Sequence, residues 1–188
     1  MRKNNVYQLT LSALFLALAL VLPFLTGQIP TLGSMLLPMH LPVLLCGFVC
    51  GWPWGLIVGL VAPLLRSVLF GMPPMMPHAL AMSIELCAYG AFSGLLYAKL
   101  KGVNLRLPLA LVGAMLLGRI CWGLASFALY SLFMPATFTF PMFLGGAFIN
   151  AWPGIVAQLV LVPLIVLALE RAHLMPSQTG ARATTTQA

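Results

Sequence analysis

Three charged side chains stand deep inside apolar runs of this chain: Arg66, Glu85 and Arg119. Arg66 and Glu85 flank the stretch R-S-V-L-F-G-M-P-P-M-M-P-H-A-L-A-M-S-I-E, a proline-rich turn between two apolar segments. An ionised side chain near the centre of a bilayer costs about 2.5–3.5 kcal/mol on insertion scales, so such residues are either paired or used. In a structural role the three form an internal ion pair that fixes helix packing. One acid neutralises one base, however, and nothing else in the chain remains to pair with the second cation. The surplus favours a ligand, and an anion such as a carboxylate would suit it.

Other side chains qualify for the same chemistry. Asn150 is a polar residue inside the last apolar segment. Tyr89, Trp122, Tyr130 and Trp152 offer aromatic walls for a flat ligand, although Trp and Tyr also populate membrane interfaces without any binding role. Tyr89 and Trp152, close in sequence to Glu85 and Asn150, are the two favoured here. His40 and His78 fall in the two loops expected outside the membrane. There they could close over a ligand or bind a metal, or they are solvated loop histidines.

Several chemistries are excluded. No G-x-x-x-x-G-K-[ST] phosphate loop occurs, so ATP is not bound by that route. No cluster of acids or histidines suits metal hydrolysis. Cys46, Cys50, Cys87 and Cys121 all lie in apolar runs and read as small core residues, because zinc sites need more ligands at tighter spacing. Gly90-Ala91-Phe92-Ser93-Gly94 has a partial likeness to the G-x-S-G of intramembrane serine proteases. Its first glycine is one place early, and the last segment has no histidine to act as base.

The elements that must position these groups follow from composition. Of 188 residues, 62% are hydrophobic and only 6% charged, against about a quarter charged in soluble domains. Such a chain is an integral membrane protein of one domain, and its net charge of +7 speaks of topology rather than of nucleic acid. Six apolar segments are expected: about Val6 to Thr26, ended by the break Gly27-Gln28-Ile29-Pro30; Leu36 to Gly51, short and marked by Pro38 and Pro42; a third that follows the tight turn Trp52-Pro53-Trp54 and runs to Phe70; Pro77 to Lys99; Leu107 to Phe133; and Met142 to Arg171. Continuous apolar runs must be helical to satisfy their backbone in lipid. The first is expected to be a retained span rather than a cleaved signal. Arg2 and Lys3 precede it, Lys99, Lys101 and Arg106 join segments four and five, and Arg171 follows the sixth, so both termini are expected to be cytoplasmic.

With that orientation, a rise of 1.5 Å per residue places Arg66 roughly 20 Å from the cytoplasmic edge. Arg119, Glu85 and Asn150 come out at about 18 Å in a core ~30 Å thick. Four polar groups from four helices thus share one level in the outer half. Small-residue pairs at i, i+4, among them Ala13/Ala17 and Gly55/Gly59, allow close helix approach, and a pair on the first helix is placed to receive a partner.

The whole pattern resembles the substrate-binding (S) component of energy-coupling factor (ECF) vitamin transporters. The resemblance rests on the topology, the short second segment M-L-L-P-M-H-L-P-V-L-L-C-G-F-V-C-G, the following G-L-I-V-G-L-V-A-P-L-L-R, and the A-x-x-x-A pair Ala13 and Ala17. It implies a vitamin site near the outer face, formed by the loops after spans one and three and by spans four to six. It implies no ATPase in this chain and no cofactor of its own, with ATP used by two partner ATPase subunits and a transmembrane coupling protein that docks on Ala13 and Ala17. Members that bind cobalt or nickel carry histidine after the initiator methionine. Arg2 stands there, which disfavours metal.

The expectation is therefore an all-α integral membrane protein, a compact bundle of six transmembrane helices over residues 1–175 with a disordered cytoplasmic tail at 176–188. Its function would be high-affinity binding of a water-soluble vitamin or related micronutrient in the bacterial cell membrane, as one subunit of an importer. The substrate-binding residues would be Arg66, Glu85, Arg119, Asn150, Tyr89, Trp152, His40 and His78. The surplus cation leans toward pantothenate, folate or biotin, with riboflavin and pyridoxine-type ligands open. The alternatives are a small intramembrane enzyme and a structural assembly factor.

Overall fold

The computed structural model describes residues 2–26, 31, 35–133 and 138–172, and no strand forms among them. The break expected at Gly27–Pro30 and the tail 176–188 lie outside the described residues. Helix α1 spans Arg2–Val21 and tightens into a 3-10 turn at Leu22–Thr26. There follow α2 (His40–Cys50), α3 (Trp52–Phe70), a wide turn at Met75–Ala79, α4 (Leu80–Lys99), α5 (Arg106–Phe133), the short α6 (Phe140–Leu144), a second wide turn at Gly145–Ile149, and α7 (Trp152–Arg171).

Helix α2 sits at the centre. His40 and every residue from Pro42 to Cys50 are buried, as expected of a helix that is apolar on all sides. At 1.5 Å per residue it is about 16 Å long, too short to cross a bilayer. Helices α1, α3, α4 and α7 pack around it, and α5 packs against α4. The surrounding helices turn leucines, valines and isoleucines outward, an apolar exterior suited to lipid.

Five helical stretches are long and apolar enough to cross a membrane: Asn5–Leu25, Trp52–Phe70, Met75–Lys99, Arg106–Phe133 and Trp152–Arg171. The expected sixth span near Met142 is interrupted. The continuous helix begins ten residues later, at Trp152, and a separate short segment precedes it. Pro153 sits in the first turn of α7 and has no N–H to continue a preceding helix, so a new helix starts there.

Helices α3 and α4 meet backbone to backbone. A Cβ on Gly90 would overlap the carbonyl of Gly55, so only glycine allows this approach. Ser93, the would-be nucleophile, is fully buried beside this contact and donates to the Gly90 carbonyl at 3.1 Å. It is a packing residue. On α1, Ser12, Phe15 and Ala19 face the bundle, whereas Ala13 and Ala17 lie on the exposed face.

Candidate functional site

Glu85 and Tyr89 lie one turn apart on the buried face of α4. Glu85 is 2% exposed, which demands a partner, since a lone buried carboxylate is very costly. Arg119 of α5 supplies it: its Nη1 donates to Glu85 Oε1 at 2.7 Å. The depth arithmetic that put Glu85 and Arg119 at one level is matched by this contact. Gly118, beside Arg119, leaves the space filled by the Tyr89 ring, and a Cβ there would come within 2.7 Å of the ring carbon Cε2.

His40 joins from α2. Expected in a loop, it is instead the first helical residue and fully buried, with Nε2 3.4 Å from Glu85 Oε1. The turn before it explains the change. Leu37 adopts a left-handed conformation (φ 50°), and the His40 N–H donates to the Leu37 carbonyl at 3.1 Å, which swings the chain inward. The left-handed region costs a leucine about 1–2 kcal/mol, so the surrounding packing must hold this turn. The imidazole then stands edge-on to the Tyr89 ring, with centroids 5.2 Å apart.

These four side chains form a buried polar layer. Nδ1 of His40, the Tyr89 hydroxyl and Nε and Nη2 of Arg119 are buried and have no hydrogen-bond partner among the described residues, and Nε2 of His40 has only its long approach to Glu85. The only other such side chain among the described residues is Gln158 of α7, 1% exposed with both amide atoms unpartnered. Each buried polar group left without a partner costs about 1–3 kcal/mol, so native proteins rarely leave several together. A concentration of this kind is what a small polar ligand would satisfy.

Arg66 is placed differently from the expectation that it converges with Glu85. Its Nη1 donates to the Leu20 carbonyl at 2.6 Å, and its guanidinium lies 5.0 Å from the Phe24 ring and 5.4 Å from the Phe70 ring. Leu20 precedes the 3-10 turn, in which Pro23 has no N–H to offer it. The cation that lacked an acid thus finds a carbonyl and two aromatic faces, and it ties the end of α1 to α3. Asn150, Trp152 and His78 are exposed. The break before α7 puts Asn150 in a turn, its N–H donating to the Gly145 carbonyl at 2.8 Å.

The second acid, Glu170, occupies the other end of the bundle. It accepts from the Tyr97 hydroxyl and, at 2.5 Å, from Nη2 of Arg106, whose guanidinium covers the Tyr97 ring. This cluster fastens the last turn of α7 to the start of α5. Among the described residues no three His, Cys, Asp or Glu side chains gather as metal ligands would.

Residues 7–166 match the family model described as ECF transporter, substrate-specific component. The chain belongs to this family. It is thus a substrate-specific transporter subunit and a multi-pass membrane protein, and S components are not themselves ATPases. No curated protein and no solved structure gives a match. For an S component, a buried polar layer enclosed by its helices is a natural place for a substrate. Gln158 is not legible as a buried polar residue from sequence, because a single amide in an apolar run has no partner there to mark it. Its one signal is that it is the only uncharged amide in α7.

Proposed function

We propose that this S component binds a water-soluble vitamin or related micronutrient with high affinity and delivers it inward as part of an importer. Its partners are a transmembrane coupling protein and two ATPase subunits, which supply the ATP hydrolysis this chain does not perform. The protein lies in a bacterial plasma membrane with both termini cytoplasmic, the orientation favoured by its lysines and arginines. The observation that carries the proposal is the layer of His40, Glu85, Tyr89 and Arg119. It holds one neutralised ion pair and several enclosed polar atoms that no described protein group satisfies.

Asn150, Trp152 and His78 would touch the ligand only if their segments close over it. Arg66 supports the site from outside through the end of α1. Ala13 and Ala17, on the outward face of α1, are available to the coupling protein.

The test is reconstitution of the purified subunit in liposomes, with and without the coupling protein and ATPases. Radiolabelled vitamin should bind to the subunit alone without chemical change, and should accumulate only when the partners and ATP are present. Chemical turnover of the vitamin by the isolated chain would overturn the proposal in favour of an enzyme.

A further inference from the structure

The free atoms of Arg119 lie on one edge of its guanidinium. Of the five N–H donors, one on Nη1 serves Glu85, while Nε and Nη2 are unpartnered. Nε–H and the adjacent Nη2–H point in parallel, the fork that pairs bidentately with a planar carboxylate. Charge narrows the class further. Glu85 and Arg119 cancel, so the layer is neutral before a ligand arrives; the fork geometry of Arg119, not surplus charge, favours a carboxylate, and a doubly charged phosphate would leave more uncompensated buried charge than a monoanion.

Gln158 adds a second constraint. It shares with Gly154, Val162 and Val166 the buried face of α7, and α7 packs on α2 and α5, the helices that carry His40 and Arg119. One turn before Gln158, Gly154 stands against the chain just ahead of His40, where an added Cβ would come within 2.6 Å of the Met35 carbonyl oxygen. Helices α2 and α7 run the same way from that contact. Gln158 therefore enters the bundle at the level of the first turn of α2. An amide presents a donor and an acceptor side by side, and both are unused.

We propose that the substrate carries a single carboxylate, seated on the Nε/Nη2 edge of Arg119, and an amide or ureido group that pairs with Gln158. This rests on the substrate-binding reading of the layer and specifies its ligand.

The probes are pantothenate and biotin, which carry both groups, their neutral counterparts pantothenol and biotinamide, and riboflavin and pyridoxine as vitamins without a carboxylate. Binding to the purified full-length subunit is measured by calorimetry. One of the two acids should bind, with its neutral counterpart weaker by about 100-fold, the loss expected for two charge-assisted hydrogen bonds. Arg119→Lys keeps a cation for Glu85 but has no fork, and should lose a similar factor for the acid. Gln158→Leu should weaken the acid about tenfold, as for one hydrogen bond, while its Tm stays level or rises because an unpaired buried amide is gone. Equal binding of an acid and its neutral counterpart overturns the inference, as does full acid affinity in Gln158→Leu. If only riboflavin or pyridoxine binds, the inference fails while the substrate-binding function stands. If none of the six binds, the inference fails, and the liposome uptake assay judges the function separately.

Discussion

Replacing Glu85 by methionine removes one partner of the buried ion pair and leaves the other in place. Arg119 is 4% exposed and would lose its acceptor at 2.7 Å while remaining buried. Breaking a buried pair from one side costs about 3–5 kcal/mol, because the remaining charge stays desolvated and alone. Arg119→Met should cost less, since a carboxyl can be neutralised by a proton and a guanidinium cannot. Replacing both partners by apolar side chains of similar volume is often neutral, so the double variant should return to within about 1 kcal/mol of the parent. Reversible unfolding in mixed micelles, titrated with a denaturing detergent and followed by tryptophan fluorescence, measures all four proteins. Ligand binding, measured alongside, should be absent from the double variant despite its recovered stability. If the losses simply add in the double variant, the two side chains do not form an isolated pair and the account of the layer is wrong.

Bulky substitution of Ala13 or Ala17 by leucine should abolish uptake in liposomes with the coupling module, yet leave ligand affinity of the isolated subunit unchanged; lost affinity would place these residues in the bundle rather than at its surface. Arg66→Met removes a charged hydrogen bond to the Leu20 carbonyl and two ring contacts, and should lower stability by about 1.5–3 kcal/mol with ligand affinity within about threefold of the parent, a change under 1 kcal/mol; a Kd raised beyond tenfold would return Arg66 to the site. Glu170→Gln should cost no more than about 1 kcal/mol, because the Arg106–Glu170 pair is partly exposed, and a larger loss in the micelle titration would contradict that limit.

The sequence carried heights well and directions poorly. Rise per residue brought Glu85 and Arg119 to one level, and the structure joins them. The same arithmetic included Arg66, but height does not say which way a side chain points. Nothing in the composition shows that the Leu20 carbonyl awaits a donor. The second apolar segment is too short to cross a bilayer, which suggests that it begins within an outer loop and puts His40 there. Yet a proline in the first turn of a helix removes only an N–H with no helical partner, so α2 runs through Pro42 undisturbed. The opposite error occurred at Pro153, where an unbroken apolar run concealed the start of a new helix and carried Asn150 to the surface. Helix α2 was legible as short, but not as central. Its near-complete burial goes with a close approach of its neighbours α3 and α4 at Gly55 and Gly90, a pairing between distant residues that spacing along the chain does not mark.

The most direct test of the central claim is mass spectrometry of the small molecules released from purified protein, comparing the parent with Arg119→Ala. The parent should release one compound at close to one molecule per chain, and the variant, equally well inserted, should release almost none. The same compound recovered in equal amount from both proteins would contradict a binding site at the His40–Glu85–Tyr89–Arg119 layer.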